Sequence, residues 1–311
     1  MTQHVYGPIP SRRLGKSLGI SPIPKKTCNY GCIYCMLDQT NHMINIPQAF
    51  YEVADILSQL QDVVNQGIAF DVVTLAGEGE PTLYAFLGDL ILGIKDITDK
   101  PIAVITNGAT LDQKKVFDAL LLADIVLPSV NGYNEETFNK INRPHRDIDF
   151  NSITQALVDF SKTFEGQCWL ELMLIHNIND STQDLLSYKE FFKQFNYDRL
   201  YINTPVRPPT EPYVKKVSHD KMLQAMQVLG GIGIEDSYHH GYFSAIIDHY
   251  QAIINIIGSH PMHQYEITGF LTHRKCDHIQ SIFDRLKQDP NVQVISYRGY
   301  DNYRIKKHRG K

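Results

Sequence analysis

The sequence contains few cysteines, only five in a chain of 311 residues. It also has no stretch near the roughly 20 apolar residues that a membrane-spanning helix requires. No apolar signal segment opens the chain. These absences argue against a disulfide framework and against membrane association, and they predict a cytoplasmic protein.

Neither sign of charge dominates, because 30 lysine and arginine residues face 34 aspartate and glutamate residues. The formal net charge of −4 gives no global reason to expect nucleic-acid binding, so any basic contact surface has to be local. A hydrophobic content of 43% at this length is enough for a globular protein with a sizeable core.

Three of the five cysteines, Cys28, Cys32 and Cys35, fall within eight residues at CxxxCxxC spacing. Three thiolates on one loop can bind three corners of a cubane 4Fe–4S cluster and leave the fourth iron open to another ligand. Zinc is the alternative, but zinc usually takes four protein ligands, and the other two cysteines are far away in the sequence. A zinc site would need a fourth ligand such as His42.

Apolar strand-like runs alternate with amphipathic helical stretches along most of the chain. Repeated βα units of this kind predict an α/β fold whose parallel sheet curls into a full or partial barrel. Functional residues are then expected at the C-terminal ends of the strands. The predicted strands are 17–23, 71–76, 102–106, 124–128, 168–175 and 199–203, and the predicted helices are 49–66, 83–95, 113–122, 182–195 and 218–229, with helical segments also beginning at Glu135 and Phe150.

The cysteine motif, with the aromatic residue Tyr34 before its third cysteine, resembles the signature of the radical S-adenosylmethionine (radical SAM) superfamily. The resemblance covers about residues 4–235 and implies a 4Fe–4S cluster on Cys28, Cys32 and Cys35 with SAM on the fourth iron. In that family an electron from the reduced cluster cleaves SAM and produces a 5′-deoxyadenosyl radical. The resemblance therefore implies a radical SAM enzyme, an oxidoreductase or transferase, supplied by an electron donor such as flavodoxin or ferredoxin.

Several candidate SAM contacts follow predicted strands. Segment 77–81 (GEGEP) resembles the family's GGEP segment, in which backbone carbonyls and the glutamate bind the SAM amino group. Glu78 stands where many members have glycine, so the resemblance implies roles for Gly79 and Glu80. The family also implies that Tyr34 places its backbone near the adenine. Asn107 and Ser129 are candidates for the ribose or carboxylate of SAM, although strand-end Asn and Ser also cap helices.

Three further features are a carboxylate within an apolar strand, a pair of adjacent arginines, and a segment that follows the fourth predicted strand. Glu171 interrupts an otherwise apolar strand, so we expect it to bind SAM or substrate, or to pair with an arginine such as Arg207. Arg12 and Arg13 are adjacent, and at most one of them is expected to neutralise a given carboxylate or phosphate. Segment 135–144 resembles the EETFxxINRP stretch of several radical SAM branches, but the preceding Asn131 departs from their pattern.

From about residue 243 the pattern changes to three helical stretches and a hairpin: 245–257, 263–271, 275–288, 292–296 and 303–306. This order resembles a winged helix-turn-helix, which divides the chain into a barrel domain, 1–242, and a winged-helix-like domain, 243–311. The third helix is then the recognition helix and 297–302 the wing. Basic and tyrosine side chains interleave at this end and predict contact with nucleic acid, although winged helices also dock proteins. They are Arg298, Arg304, Lys306, Lys307, Arg309 and Lys311, with Tyr297, Tyr300 and Tyr303.

The segments 7–20 (GPIPSRRLGKSLGI) and 203–209 (NTPVRPP) resemble the branch grouped with tRNA wyosine synthases, which implies an RNA nucleoside as substrate. Those synthases carry a second cluster on cysteines upstream of the first motif, and this chain has no cysteine before Cys28. We therefore do not expect the same reaction. The leading hypothesis is modification of a macromolecule, with RNA as the first candidate. Two alternatives are modification of a peptide or protein, and a non-catalytic iron–sulfur DNA-binding redox sensor.

Overall fold

The computed structural model describes residues 2–234, 242, 244, 246–297 and 299–306. The strands in chain order are β1 (Val5–Ser11), β2 (Gly15–Ile20), β3 (Thr27–Cys28), β4 (His42–Met43), β5 (Val72–Leu75), β6 (Ile102–Thr106), β7 (Ile125–Pro128), β8 (Gln167–Met173), β9 (Arg199–Asn203), β10 (Ile232–Gly233), β11 (Met262–His263), β12 (Val292–Tyr297) and β13 (Tyr300–Ile305). The helices are α1 (Val53–Asn65), α2 (Leu87–Ile97), α3 (Lys114–Leu120), α4 (Glu135–Asn142), α5 (Phe150–Thr163), α6 (Thr182–Phe192), α7 (His219–Leu229), α8 (His249–Ser259), α9 (Gln264–His273) and α10 (Ile279–Gln288).

An eight-stranded sheet runs in the order β1-β2-β5-β6-β7-β8-β9-β10. Every neighbouring pair from β2 to β10 is parallel, as the alternation of strands and helices predicts. The sheet is curled, because Leu14 near one edge and Ile234 near the other share one buried cluster with residues of the strands between them. The predicted α/β fold with a curled parallel sheet is confirmed.

Amphipathic helices cover the other face of the sheet. In α1 the buried residues Ile56 and Leu60 lie one turn apart, and in α2 Leu90 and Ile94 do the same. These side chains pack with the buried strand residues in the largest hydrophobic cluster of the described chain. The helices therefore fix one face of the strands and leave the strands' C-terminal ends to the loops.

The first strand of the sheet was not predicted. Pro8 and Pro10 punctuate β1, and the sequence placed the first strand only at 17–23. Because β1 is the terminal strand and pairs only with β2 in the sheet, the missing N–H groups of its prolines remove no central ladder bonds. The N-terminal segment therefore forms a hairpin with β2 and not an irregular lead-in.

The described residues beyond 246 form a smaller unit. Three helices, α8, α9 and α10, pack on a three-stranded sheet of order β11-β13-β12. The predicted helices and hairpin are present, and β11 adds a strand that the sequence did not predict. Its core includes Ile9 of β1, so this unit packs directly on the sheet edge. The predicted boundary at 242–243 falls in the stretch 235–245, of which the structure describes only Tyr242 and Ser244.

No helix in the described part of the chain is long and apolar enough to cross a membrane.

Candidate active site

The cysteine loop leaves the sheet after β2 and is held by short backbone pairings. β3 pairs in parallel with β4, and the Ile44 N–H donates to the Cys28 carbonyl at 3.2 Å. On its other side the loop lies along the end of α4, where the Ile33 N–H donates to the Ile141 carbonyl at 3.0 Å. The His145 N–H in turn donates to the Asn29 carbonyl at 2.8 Å. The loop therefore has a fixed path between two segments.

The segment at 135–144 supplies that second support. Arg143 ends α4 in the left-handed conformation, with φ of 45°, which turns the chain alongside the cysteine loop. The Gly31 N–H lies 3.0 Å from the carbonyls of both Asn142 and Arg143, and Tyr30 forms a bridge with Pro144. The resemblance of this segment to radical SAM branches thus has a structural basis, because its last residues form an edge for the loop.

Amide and backbone N–H groups surround the cysteine sulfurs. The Asn107 side-chain amide donates to Cys28 Sγ at 3.6 Å, and the Tyr30 N–H donates to the same sulfur at 3.4 Å. The Asn142 side-chain amide donates to Cys32 Sγ at 3.5 Å. Asn142 was not predicted as a site residue, and the only sequence signal for it was the motif in which it lies. Such donors stabilise negative charge on sulfur.

Burial opposes that charge. Burial raises the pKa of the Cys28 thiol well above its ordinary value, and the charges of nearby Glu80 and Cys32 raise this pKa further. Burial also raises the pKa of Cys32 to about 12, with Cys35 as the next cause. Thiolates in this setting need a cationic group beside them. In the described part of the chain, however, no three His, Cys, Asp or Glu side chains are arranged to hold a metal ion.

Segment 77–81 packs directly on the cysteine loop. A Cβ atom on Gly79 would lie 2.0 Å from the Thr27 carbonyl oxygen, so only glycine fits at this approach. The Glu80 N–H donates to the same carbonyl at 3.0 Å, and the Lys26 N–H donates to the Glu78 carbonyl. The two loops that the sequence singled out separately are therefore one backbone-bonded unit.

The Glu80 carboxylate is buried and surrounded by hydrogen-bond donors. Oε1 accepts from the Thr82 N–H at 3.1 Å and from the Thr82 and Thr106 hydroxyls at 2.7 and 2.6 Å. Oε2 accepts from the Asn107 N–H at 2.7 Å. Burial raises the pKa of Glu80, and these hydrogen bonds oppose the rise. A carboxylate offers about four acceptor positions, so the chain itself fills most of them.

Asn107 joins the two loops. Besides its contact with Cys28, its side-chain amide donates to Asn29 Oδ1 at 2.6 Å. Its Oδ1 accepts from the Ala109 N–H at 2.9 Å, as a capping residue would. Asn29 is fully buried, and sequence reasoning did not identify it. Asn107 therefore lies at the end of a strand beside the cysteines, as the sequence predicts.

Tyr34 and Ser129 lie farther around the same edge. The Tyr34 hydroxyl accepts from the Asn131 side-chain amide at 2.7 Å, and Asn131 Oδ1 accepts from the Met173 N–H at 2.8 Å. The Ser129 N–H donates to the Thr106 carbonyl at 2.9 Å, and Ser129 forms a bridge with Glu171. The structure gives Asn131 a part in holding Tyr34.

Glu171 forms an ion pair with Arg13, and the Asn203 side-chain amide reaches its Oε1 at 3.5 Å. Burial lowers the pKa of Arg13 to about 10, with Arg12 as the next cause. The prediction that Arg207 pairs with Glu171 was wrong. The Arg207 guanidinium instead donates to both carboxylate oxygens of Glu266 at 2.6 Å. Arg207 follows β9 and α9 carries Glu266, so that pair joins the barrel to the C-terminal unit.

The C-terminal unit also reaches the cysteine loop. Arg304 on β13 is only 9% exposed, donates to the Met36 carbonyl at 3.3 Å and approaches Asp38 at 3.5 Å. Tyr303 is 1% exposed and belongs to the core. The prediction that Tyr303 lies on a nucleic-acid surface was wrong, because alternate residues of β13 face the core and the barrel. Arg304 points the other way, towards the cysteine loop. Arg298, Lys307, Arg309 and Lys311 lie outside the described residues.

The sequence model of the Radical SAM superfamily matches residues 23–188, just over half of the 311 residues. The chain belongs to the radical SAM superfamily. It is thus a radical SAM enzyme of unspecified reaction, and membership implies a 4Fe–4S cluster and SAM as its cofactors. Radical SAM chemistry also needs a reductant.

Among curated proteins, this radical SAM chain is 38% identical over 224 residues to the GTPase Obg of Brachyspira hyodysenteriae, a match that covers 72% of this chain and 33% of that protein. The chain thus spans about a third of that relative. It is 35% identical over 229 residues to a UPF0026 protein of Methanocaldococcus jannaschii, covering 73% of this chain and 71% of that protein.

A solved structure of TYW1 with a lysine–pyruvate adduct bound has a similar fold. The TM-score is 0.51 at 20% identity, and the match covers 71% of this chain and 76% of that chain. At this identity the likeness concerns the fold alone.

Proposed function

We propose that this radical SAM enzyme holds its cluster on Cys28, Cys32 and Cys35 and generates a 5′-deoxyadenosyl radical to modify a macromolecular substrate, RNA in the first instance. The observation that carries the proposal is the backbone-bonded union of the cysteine loop with segment 77–81, bridged by Asn107. Reductive cleavage of SAM is the chemistry that the two cofactors supply when bound. Binding and orientation are the tasks of the chain's own residues.

The cysteine loop fits a polynuclear cluster better than a single ion. Three half-buried thiols share one loop, and N–H donors point at two of the sulfurs. In a cubane each thiolate binds a different iron, so the sulfurs need not converge on one point. A single zinc ion would require that convergence within about 4 Å, which follows from zinc–sulfur bonds of about 2.3 Å. Zinc would also need a fourth protein ligand beside these three thiols, so we propose a cluster in preference to zinc.

For SAM we propose that segment 77–81 receives the amino group and that Tyr34, Asn107 and Ser129 lie along the same strand-end edge. Gly79 lets the backbone approach the cluster loop closely. Because four donors already contact the Glu80 carboxylate, Glu80 acts mainly by holding the carbonyls of its loop in place. Glu171, neutralised by Arg13, is a candidate for SAM or substrate hydroxyl groups.

The substrate proposal rests on two features of the chain. Segments 7–20 and 203–209 resemble the branch grouped with tRNA wyosine synthases, and the helix–strand order of the C-terminal unit suits a nucleic-acid module. Modification of a peptide is the second enzymatic candidate. In both readings an electron donor such as flavodoxin or ferredoxin reduces the cluster.

The cluster assignment is tested by replacing each cysteine with alanine. After anaerobic reconstitution, we expect C28A, C32A and C35A to lose cluster iron and sulfide, while C168A and C276A retain both. The last two remove buried thiols outside the loop and control for packing losses. In the wild type, added SAM should change the EPR spectrum of the reduced cluster. Iron retained in all five variants, or a spectrum that ignores SAM, would refute the proposal.

A further inference from the structure

A cleft of about 170 Å³ lies between the cysteine loop and the C-terminal unit. Lys25 and Lys26 line it on the barrel side, just before Cys28, and Arg304 and Lys306 line it on the C-terminal side. Met36 and Leu37, which directly follow Cys35, form part of its wall. Anything bound in this cleft therefore contacts residues on both flanks of the cysteine loop.

Positive charge predominates in the cleft. Four of its twelve described lining residues are cationic, and one, Glu78, is acidic. Lys25 lies 2.8 Å from Glu78, and Asp38 approaches Arg304 at 3.5 Å, so among the described residues four cationic groups outnumber two acidic ones. The chain as a whole carries a net charge of −4, which makes this local excess a property of the site.

The size and lining of the cleft limit the ligand. Clefts that enclose a drug-sized molecule measure about 300–1,000 Å³, so this one accommodates a single group of a larger molecule. Apolar side chains, including Ile257 and Ile305, complete the wall beside the lysines. A cationic rim next to an apolar wall suits one phosphate with the attached sugar or base.

We propose that this cleft binds a backbone phosphate of an RNA substrate and so holds the strand beside the cysteine loop. The inference rests on the proposed function and gives its substrate a specific anchoring site. In a polynucleotide each charged phosphate lies beside a sugar and a base, which matches cationic Lys25 and Lys306 beside Ile257 and Ile305 better than a lone peptide carboxylate does.

The experiment compares two double charge reversals in the full-length reconstituted enzyme. K25E/K306E changes the cleft, and K100E/K162E makes the same change in net charge on exposed lysines at the opposite, N-terminal ends of the strands. Binding of a single-stranded RNA oligonucleotide is measured by fluorescence anisotropy at several salt concentrations. A polyglutamate peptide serves as the second probe, and thermal unfolding confirms that both proteins are folded.

We expect K25E/K306E to bind RNA about tenfold or more weakly and to reduce the slope of log K against log salt by about 0.7, the contribution of one lost phosphate contact on a single strand. The control should match the wild type. Equal RNA binding by both variants, or a loss confined to polyglutamate, overturns the inference. Wild-type formation of 5′-deoxyadenosine is measured in parallel, because its absence would instead defeat the proposed function.

Discussion

The side-chain amide of Asn107 donates a hydrogen bond to the sulfur of Cys28 across 3.6 Å. The backbone N–H of the same asparagine donates to Glu80, which accepts two further bonds from Thr82. One residue at the end of β6 thus links the first cysteine of the motif to the segment that we propose for SAM. The position of the sulfur is set by the sheet and not by the loop alone.

Replacing Asn107 with aspartate should make the reduction potential of the cluster more negative. The change removes an N–H donor from Cys28 and places a carboxylate beside it. A hydrogen bond to a charged group contributes at least about 1.5 kcal/mol, which corresponds to about 60 mV for one electron. Anaerobic redox titration monitored by EPR measures the shift. Asn151→Asp, on the exposed side of α5, is the matched control and should leave the potential unchanged.

Gly79→Ala should displace the cysteine loop, because its Cβ would lie 2.0 Å from the Thr27 carbonyl oxygen. Overpacking of this kind costs about 1–3 kcal/mol of stability, and we expect less iron per chain after reconstitution. Gly88→Ala, in α2, meets its nearest atom at an ordinary 3.5 Å and should gain up to about 1 kcal/mol. Equal iron content and equal unfolding midpoints for the two variants would show that the close approach is unimportant.

The ion pair of Arg207 with Glu266 predicts a pH-dependent junction between the barrel and the C-terminal unit. Burial alone would raise the pKa of Glu266, but the hydrogen bonds and charge of Arg207 lower it to about 2 from 4.5. Because the folded pKa is depressed, the stabilisation is complete above pH 4.5 and is lost as the pH falls towards 2.

Glu266→Gln should therefore destabilise the protein at pH 7 by about 3 kcal/mol at most, the equivalent of that shift. The difference from the wild type should shrink as the pH is lowered from 6 to 3, measured by denaturant unfolding. Glu165→Gln, at an exposed position, should show no such trend. A difference that stays constant over this pH range would contradict the assignment of the stabilisation to the carboxylate.

Arg304→Gln should loosen the cysteine loop from the C-terminal unit. It removes the bond to the Met36 carbonyl and the contact with Asp38, two partly buried acceptors. We expect a loss of about 1–3 kcal/mol and faster amide hydrogen exchange at residues 36–42. Arg146→Gln, whose side chain is 90% exposed, is the control. Unchanged exchange at 36–42 would mean that the contact does not restrain the loop.

The sequence predicted those parts of the molecule that depend on local pattern. Apolar strands followed by amphipathic helices predicted the parallel sheet. The spacing of Cys28, Cys32 and Cys35 predicted the cluster loop, which lies within the residues matched by the superfamily model. The strand-end rule placed Asn107 at the same edge as the cysteines, where the structure has it.

Features that depend on tertiary packing were missed or misassigned. The prolines of β1 argued against a strand, because proline has no N–H to donate. That lack matters in a central strand, but β1 lies at the edge of the sheet. Arg304 looked like part of a basic surface, but the alternation of side chains along β13 buries it against the cysteine loop. Local sequence could not choose between Arg13 and Arg207 as the partner of Glu171, because that choice depends on how the sheet curls.

The central claim is that this chain cleaves SAM on a cluster held by Cys28, Cys32 and Cys35. The most direct measurement is the formation of 5′-deoxyadenosine when reduced, reconstituted protein is incubated anaerobically with SAM. We expect the wild type and C168A to form it and C32A to form none. A wild-type protein that carries a full cluster and still forms no 5′-deoxyadenosine would contradict the claim and favour a non-catalytic redox sensor.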